Sequence, residues 1–371
     1  MGRFVRLHQA PDLHAEAGLS RTLLAPPRIL LSALLALACV PAWAGNLVVD
    51  VLDVGQGDAI LVRTAEKTVL IDTGDRGADT VKQLRTLGVE RLDLLVSTHP
   101  HADHIGRTEA VLRAFPVGLY LDNGLEHTTS TYAGVMAAID ELGVPYEAAF
   151  EGQVLRLGTE ATFTVLNPTD PPLSGTRSDL NSNSVVLQLD HGDDRMLFMG
   201  DAEEPTEARL VANGLGHVAL LKVAHHGSRH STSPAFAKAT HPDIAIISVG
   251  VDNRYHHPAD STIDRLSGLG AMVYRTDLSS DIRAVSSGHG VEVLEGSIYE
   301  LGDGRDAFVD AAPPPQIAAE KPPKAEKPPK VSTRPSRAER RAARKADRQA
   351  KKSPWPIESL PSRQSGNNAP Y

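Results

Sequence analysis

Four ligand-type side chains crowd into six positions in Ser97-Thr-His99-Pro-His101-Ala-Asp103-His104-Ile-Gly106. Imidazole and carboxylate donors at that density suit Zn²⁺, with Mn²⁺ or Fe²⁺ as alternatives. His99 and His101 are two apart, so on extended backbone both leave the same side. Asp103 and His104 follow a turn and face a neighbouring point, which predicts two adjacent ions. A loop that happens to be rich in histidine is the plain alternative. One lone histidine would favour it; four packed donors after an apolar strand do not. Bound divalent cations lower the pKa of water to about 7, which supplies a nucleophile near neutrality. No Ser-His-Asp nucleophile motif competes for that role, and Gly55-Gln-Gly57 is too short for a phosphate-binding P-loop.

The donors need elements to carry them. Short β-branched or Leu-rich runs ending in Gly, Asp or His predict strands at 47–52, 59–62, 68–71, 92–97, 162–166, 184–189, 195–199, 219–223, 244–249 and 270–274. Helical spacing is found at 78–87, 108–114, 132–141, 204–213, 234–239 and 260–269. Such an alternation predicts a sheet-rich α/β domain with helices on the outer faces. Val69-Leu-Ile-Asp-Thr-Gly74 and Met196-Leu-Phe-Met-Gly-Asp201 echo one another as apolar strands that deliver an aspartate. The echo is too short to establish duplication.

Further motifs accompany the histidine cluster in a fixed order. These are Asp53-Val-Gly-Gln-Gly-Asp58, Leu70-Ile-Asp-Thr-Gly74, Met199-Gly-Asp201, Val223-Ala-His-His-Gly-Ser228 and Asn253-Arg-Tyr-His-His-Pro258. Together they resemble the metallo-β-lactamase superfamily over roughly residues 47–295, and within it the ComEC/Rec2 branch. The resemblance implies a four-layered αββα sandwich and a hydrolase with a divalent metal cofactor, two Zn²⁺ or else Mn²⁺. It implies His99, His101, Asp103 and His104 as ligands, Asp201 as the bridging carboxylate, and either His225 or His226 as the later histidine. Where the superfamily supplies a further histidine, this chain has Asp179-Leu-Asn-Ser-Asn183, so Asn183 is the expected stand-in, or a water takes that position.

Asp103 or Asp201 is the residue expected to hold the nucleophile. His257 is the preferred substrate-contacting or proton-donating histidine, with His256 a bystander. Ser228 and Arg254 are expected to hold an anionic oxygen. His127 either reaches the pocket from its loop or lies on the surface. Asp58 and Asp72 read as ligand-orienting carboxylates. His191, His217, His230, His241 and His289 read as surface or core residues.

Composition divides the 371 residues unevenly. Residues 1–44 hold an apolar run at 29–39 preceded by Arg21 and Arg28 and followed by Ala42-Trp-Ala44. At about 11 residues that run is short for a bilayer and fits a signal peptide. Export to the periplasm or medium is expected, and lipid anchoring at Cys39 is the weaker variant. Cys39 is the lone cysteine, so no intramolecular disulfide can form. Residues 45–303 form the expected hydrolase domain, and 304–371 a disordered basic tail rich in Pro and Lys. Over 311–371 there are 14 Lys+Arg against five Asp+Glu, whereas 45–310 carry 20 against 39.

A phosphodiesterase or nuclease is therefore the leading expectation, with the tail gripping a polyanion or the envelope. The acidic body speaks against nucleic acid. The alternatives are hydrolysis of another ester, of phosphorylcholine or lactone type, and a non-catalytic polyanion-binding module. A single apolar run leaves no stable transmembrane domain, so the chain resembles at most the hydrolase part of a DNA-uptake channel. Composition says nothing of oligomeric state.

Overall fold

The structure, a computed structural model, describes residues 45–294, 297–299 and 358–359. The expected leader at 1–44 and nearly all of the tail at 304–371 lie outside the described residues. All described residues belong to the unit from Trp43 to Tyr371.

The first strands are β1 (Leu47–Val51), β2 (Ile60–Arg63), β3 (Thr68–Ile71), β4 (Leu94–Val96), β5 (Tyr120–Asp122) and β6 (Tyr146–Ala148). There follow β7 (Gln153–Arg156), β8 (Ala161–Asn167), β9 (Val186–His191), β10 (Asp194–Phe198), β11 (Leu220–Lys222), β12 (Ile244–Ile247) and β13 (Met272–Arg275). The last are β14 (Ile282–Ser286), β15 (Val291–Leu294) and β16 (Glu358–Ser359). They build two mixed sheets, ordered β15-β14-β1-β2-β3-β4-β5-β6 and β13-β12-β11-β10-β9-β8-β7-β16. Every predicted strand is present. β5, β6, β7, β14, β15 and β16 were not expected. β16 pairs with the edge of β7, so two residues of the tail expected to lack structure form a strand.

Alternation along the strands divides the apolar side chains between faces. Leu47, Val49 and Val51 meet Phe163, Leu187 and Phe198 between the sheets. The outer face of the first sheet, with Leu61, Leu70 and Leu95, is covered by α1 (Thr80–Thr86), α3 (Thr108–Ala114) and α4 (Ser130–Leu142), α2 being the short turn Ala102–Ile105. The second sheet packs Leu197, Leu221 and Ala245 against α6 (Glu204–Ala212), α7 (Pro234–Thr240) and α8 (Asp260–Gly268). Two further single turns are α5 (Asp179–Ser182) and α9 (Thr276–Ser279). The layers are thus αββα, as the motifs implied. All six predicted helices are present, and the three single turns were missed.

One buried charge cluster pins the middle of the first sheet. Asp50 on β1 receives Arg63 Nη2 from β2 at 2.5 Å and Arg283 Nε from β14 at 2.6 Å. Buried charge is tolerated only when paired in this way.

Strand direction decides where function can sit. β3, β4 and β5 run parallel, as do β10, β11 and β12. Loops leaving their carboxyl ends carry Asp72, the 97–104 segment, Asp201 and the 225–226 pair.

Candidate metal centre

Two groups of donors form at that edge. His99, His101 and Asp201 make one, and Asp103, His104 and His226 the other. His99 Nε2 lies 2.9 Å from His101 Nδ1 and 3.6 Å from Asp201 Oδ2. His104 Nε2 lies 3.2 Å from Asp201 Oδ1, and His226 Nε2 is 3.4 Å from Asp103 Oδ2 and 3.6 Å from Asp201 Oδ1. Asp201 therefore faces both groups, one oxygen to each. His226 stands in the second group; His225 flanks Asp201 from the other side, 3.6 Å from Oδ2.

His104 and His226 are each turned by their second nitrogen. His104 Nδ1 meets Asp72 Oδ2 at 2.8 Å, and Thr98 Oγ1 donates to the same oxygen at 2.7 Å. His226 Nδ1 lies 3.0 Å from the Ser248 carbonyl and 3.5 Å from Asp58 Oδ1. Asp58 Oδ2 in turn receives the fully buried Lys222 Nζ at 2.8 Å. A partner on Nδ1 leaves Nε2 free to ligate, the arrangement typical of metal-binding histidine. Asp58 and Asp72 thus stand behind the histidines, although the geometry also groups them with His104 as a third set of donors.

The backbone makes unusual turns to achieve this. His225 and His226 are consecutive left-handed residues, at φ 49° and 53°, a strained combination that persists where surrounding structure enforces it. Gly57 has φ 130°, and a Cβ there would stand 2.1 Å from the Asp103 carbonyl oxygen. Only glycine lets the 53–58 loop lie against the ligand loop.

Charge and satisfaction test whether cations fit. His104 Nε2, His226 Nε2 and Asp201 Oδ1 are buried without a hydrogen-bond partner among the described residues. Such atoms are costly unless something pairs with them. Burial disfavours charge on His226, yet Asp201, Asp103 and Asp58 push it up to about 10. Burial likewise opposes charge on His104, and Asp201, Asp72 and Asp103 hold it well above the usual value. Burial would raise Asp201, but His104, His225 and His226 hold it well below the usual carboxylate range. The acids thus draw protons onto imidazoles that are neutral when they ligate; divalent cations would replace those protons. The residues fit a metal pair.

The centre opens into a cavity of about 330 Å³ lined by Gln56, His101, Asp103, Asn181, Asp201, His225, His226, Tyr255 and His257. A larger cleft of about 490 Å³ runs along residues 63–68 and 87–91. It contains no histidine, so volume is a poor guide to chemistry here.

Several expected residues stand elsewhere. Asn183 does not reach the donors: its Nδ2 donates to the Leu173 and Asp179 carbonyls, and its Oδ1 accepts from Leu173 N. Asn181, at the end of the α5 turn, faces the cavity instead, its Nδ2 3.2 Å from Glu203 Oε1 and 3.4 Å from His225 Nδ1. Glu203 is buried, paired with Arg177, and 3.4 Å from His225 Nδ1. Ser228 is buried and bonds to His230 N within its own turn, so it is not presented to a substrate.

His257 lines the cavity, but burial, with His225 and His226 nearby, lowers it to about 4. Arg254 is directed to the Tyr255 hydroxyl at 2.6 Å and does not line the cavity. His127 sits at the rim, its ring 6.3 Å from that of His101. The sequence reading missed Gln56, Asn181, Glu203 and Lys222. Gln56 lies between Gly55 and Gly57, in the motif that ends at Asp58.

The chain belongs to the metallo-beta-lactamase superfamily, whose model matches residues 52–251. Its relatives are of the ComEC/Rec2 type. ComE operon protein 3 of Bacillus subtilis is 31% identical over 266 residues, 66% of this chain and 33% of that protein. Competence protein ComA of Neisseria gonorrhoeae is 32% identical over 259 residues, 68% of this chain and 34% of that protein. The chain therefore spans about a third of the length of these relatives. A metal-dependent hydrolase of Cupriavidus necator is 25% identical over 208 residues, 54% of this chain and 63% of that protein.

Proposed function

We propose that this chain is an exported phosphodiesterase of nuclease type that works with two divalent cations, Zn²⁺ or Mn²⁺. The reading is carried by one observation. The orphaned donor atoms His104 Nε2, His226 Nε2 and Asp201 Oδ1 converge on one another, and Asp201 and His226 also line the cavity. His99, His101 and Asp201 Oδ2 would hold one ion; Asp103, His104, His226 and Asp201 Oδ1 the other. Bound cations supply Lewis acidity and lower the pKa of water near them.

The protein's own groups do the remainder. Asp103 or Asp201 accepts a hydrogen bond from the attacking water. His257 and Gln56 line the cavity on the substrate side. Asp72, Asp58 and the Ser248 carbonyl keep the imidazoles turned. Similarity to competence proteins supports a phosphodiester substrate, and so does the excess of Lys and Arg in residues 311–371. The acidic body favours a second reading, hydrolysis of a carboxylic or phosphorylcholine-type ester.

Purified full chain, assayed for metal content and for turnover of single-stranded DNA, double-stranded DNA, bis(p-nitrophenyl) phosphate and a lactone, decides between them. We expect two equivalents of metal and phosphodiester turnover that a chelator abolishes. Lactone opening with no phosphate-ester turnover would remove the leading reading.

A further inference from the structure

Gln56 is the one cavity residue whose side-chain amide has no partner on either side. Oε1 and Nε2 are both shielded from solvent, and neither finds a hydrogen bond among the described residues. A buried amide in that state is unfavourable twice over, as donor and as acceptor. The backbone gives it no way out. Gly55 N donates to Asp53 Oδ1 at 3.0 Å, and Asp58 N to the Asp103 carbonyl at 3.2 Å. On the other side a Cβ at Gly250 would stand 2.7 Å from Gln56 N. The loop is clamped between the ligand loop and the segment after β12, and Gln56 is among the residues lining the cavity, with Asp103, Asp201 and His226.

Those neighbours are carboxylates and imidazoles, the groups that cations would occupy. Gln56 is a neutral donor and acceptor left for whatever reacts there. We propose that Gln56 contacts the substrate: Nε2 donates to a non-bridging oxygen of the phosphoryl group, and Oε1 accepts from the attacking water. This rests on the hydrolase reading above. In the step itself the water oxygen bonds to phosphorus and the ester P–O bond breaks, its electron pair going to the leaving oxygen. The water releases one proton to solvent, and the leaving oxygen takes one up. Gln56 gains and loses no proton; it orients both partners. An amide suits this because it meets an anionic oxygen without repulsion and does not compete with the ions for charge.

The test compares wild type, Q56L and Q56E as full-length chains loaded with Mn²⁺. It reads hydrolysis of bis(p-nitrophenyl) phosphate, inhibition by inorganic phosphate, metal content and the thermal midpoint. For Q56L we expect kcat/KM to fall by about 100-fold or more, the scale of losing one preorganised donor. Phosphate inhibition should weaken by roughly tenfold. Metal content should be unchanged, and the midpoint unchanged or higher, because an unsatisfied amide has gone. Q56E should weaken phosphate inhibition further, through like charge. Kinetics and inhibition within about twofold of wild type in both variants would overturn the proposal. So would a joint loss of midpoint and metal in Q56L with Q56E fully active, since the residue would then serve the fold. Failure of the wider reading looks different: wild type itself would leave the phosphodiester intact and ignore phosphate, which overturns both.

Discussion

A single oxygen shows how closely this centre is arranged. Asp72 Oδ2 receives both Thr98 Oγ1 and His104 Nδ1, from a residue that is itself left-handed at φ 59°. Its task is to fix the ring so that Nε2 meets Asp201. Asp72→Asn keeps the shape but weakens the hold on Nδ1. The substitution should lower metal affinity about 10- to 100-fold, the usual effect of removing a ligand's orienting partner. Competition with a chromophoric chelator measures it, and equal affinity in the two proteins would assign Asp72 to the fold alone. The same logic separates His226 from His225. Neighbours in sequence, they differ in what holds Nδ1: a backbone carbonyl for one, the Asn181 and Glu203 corner for the other.

Elements matter here through their ends. β5 is three residues long and finishes at Asp122, which accepts Gly124 N at 2.8 Å and the Tyr146 hydroxyl at 2.9 Å. Burial pushes this carboxyl up to about 6, from an ordinary 3.8. A raised folded pKa means that the native state holds the proton more tightly. Its contribution is therefore full below about pH 4 and is lost as pH rises through about 6. Asp122→Asn can accept the same two hydrogen bonds and carries no charge. Relative to wild type it should gain stability between pH 4.5 and 7.5, by on the order of 2 kcal/mol at the upper end. Urea midpoints of both proteins across that range give the difference directly; a flat difference would refute the assignment.

At the level of the molecule, charge is partitioned along the chain: acidic over 45–310 and basic over 311–371. No described helix is long and apolar enough to cross a membrane. A basic segment on an acidic body would supply the counterion release that the body cannot. Removing 311–371 should therefore weaken DNA binding and flatten its dependence on salt, while turnover of a small phosphodiester persists. Binding isotherms between 50 mM and 200 mM salt, the range over which phosphate contacts dominate, provide the measurement. An unchanged slope would separate the tail from nucleic acid.

The donors, their order and a sheet-rich α/β domain were written in local pattern, and the αββα sandwich followed from the resemblance of the motifs. Ligand chemistry shows itself by residue type, and apolar runs of four or more residues fix strands and helices by period. The missed strands are mostly the short ones, such as Tyr120–Asp122 and Tyr146–Ala148, which neighbouring ladders hold and whose period is too brief to read. Which partner each donor meets was decided in three dimensions. Asn183 and Asn181 are alike in type, yet α5 turns one into a hydrogen-bonded turn and the other into the cavity. His225 and His226 are indistinguishable until two left-handed residues aim them apart. Gln56 reads as an ordinary polar residue until packing shields its amide and leaves it unpaired. Type is local, whereas orientation and solvent exclusion belong to the packed chain.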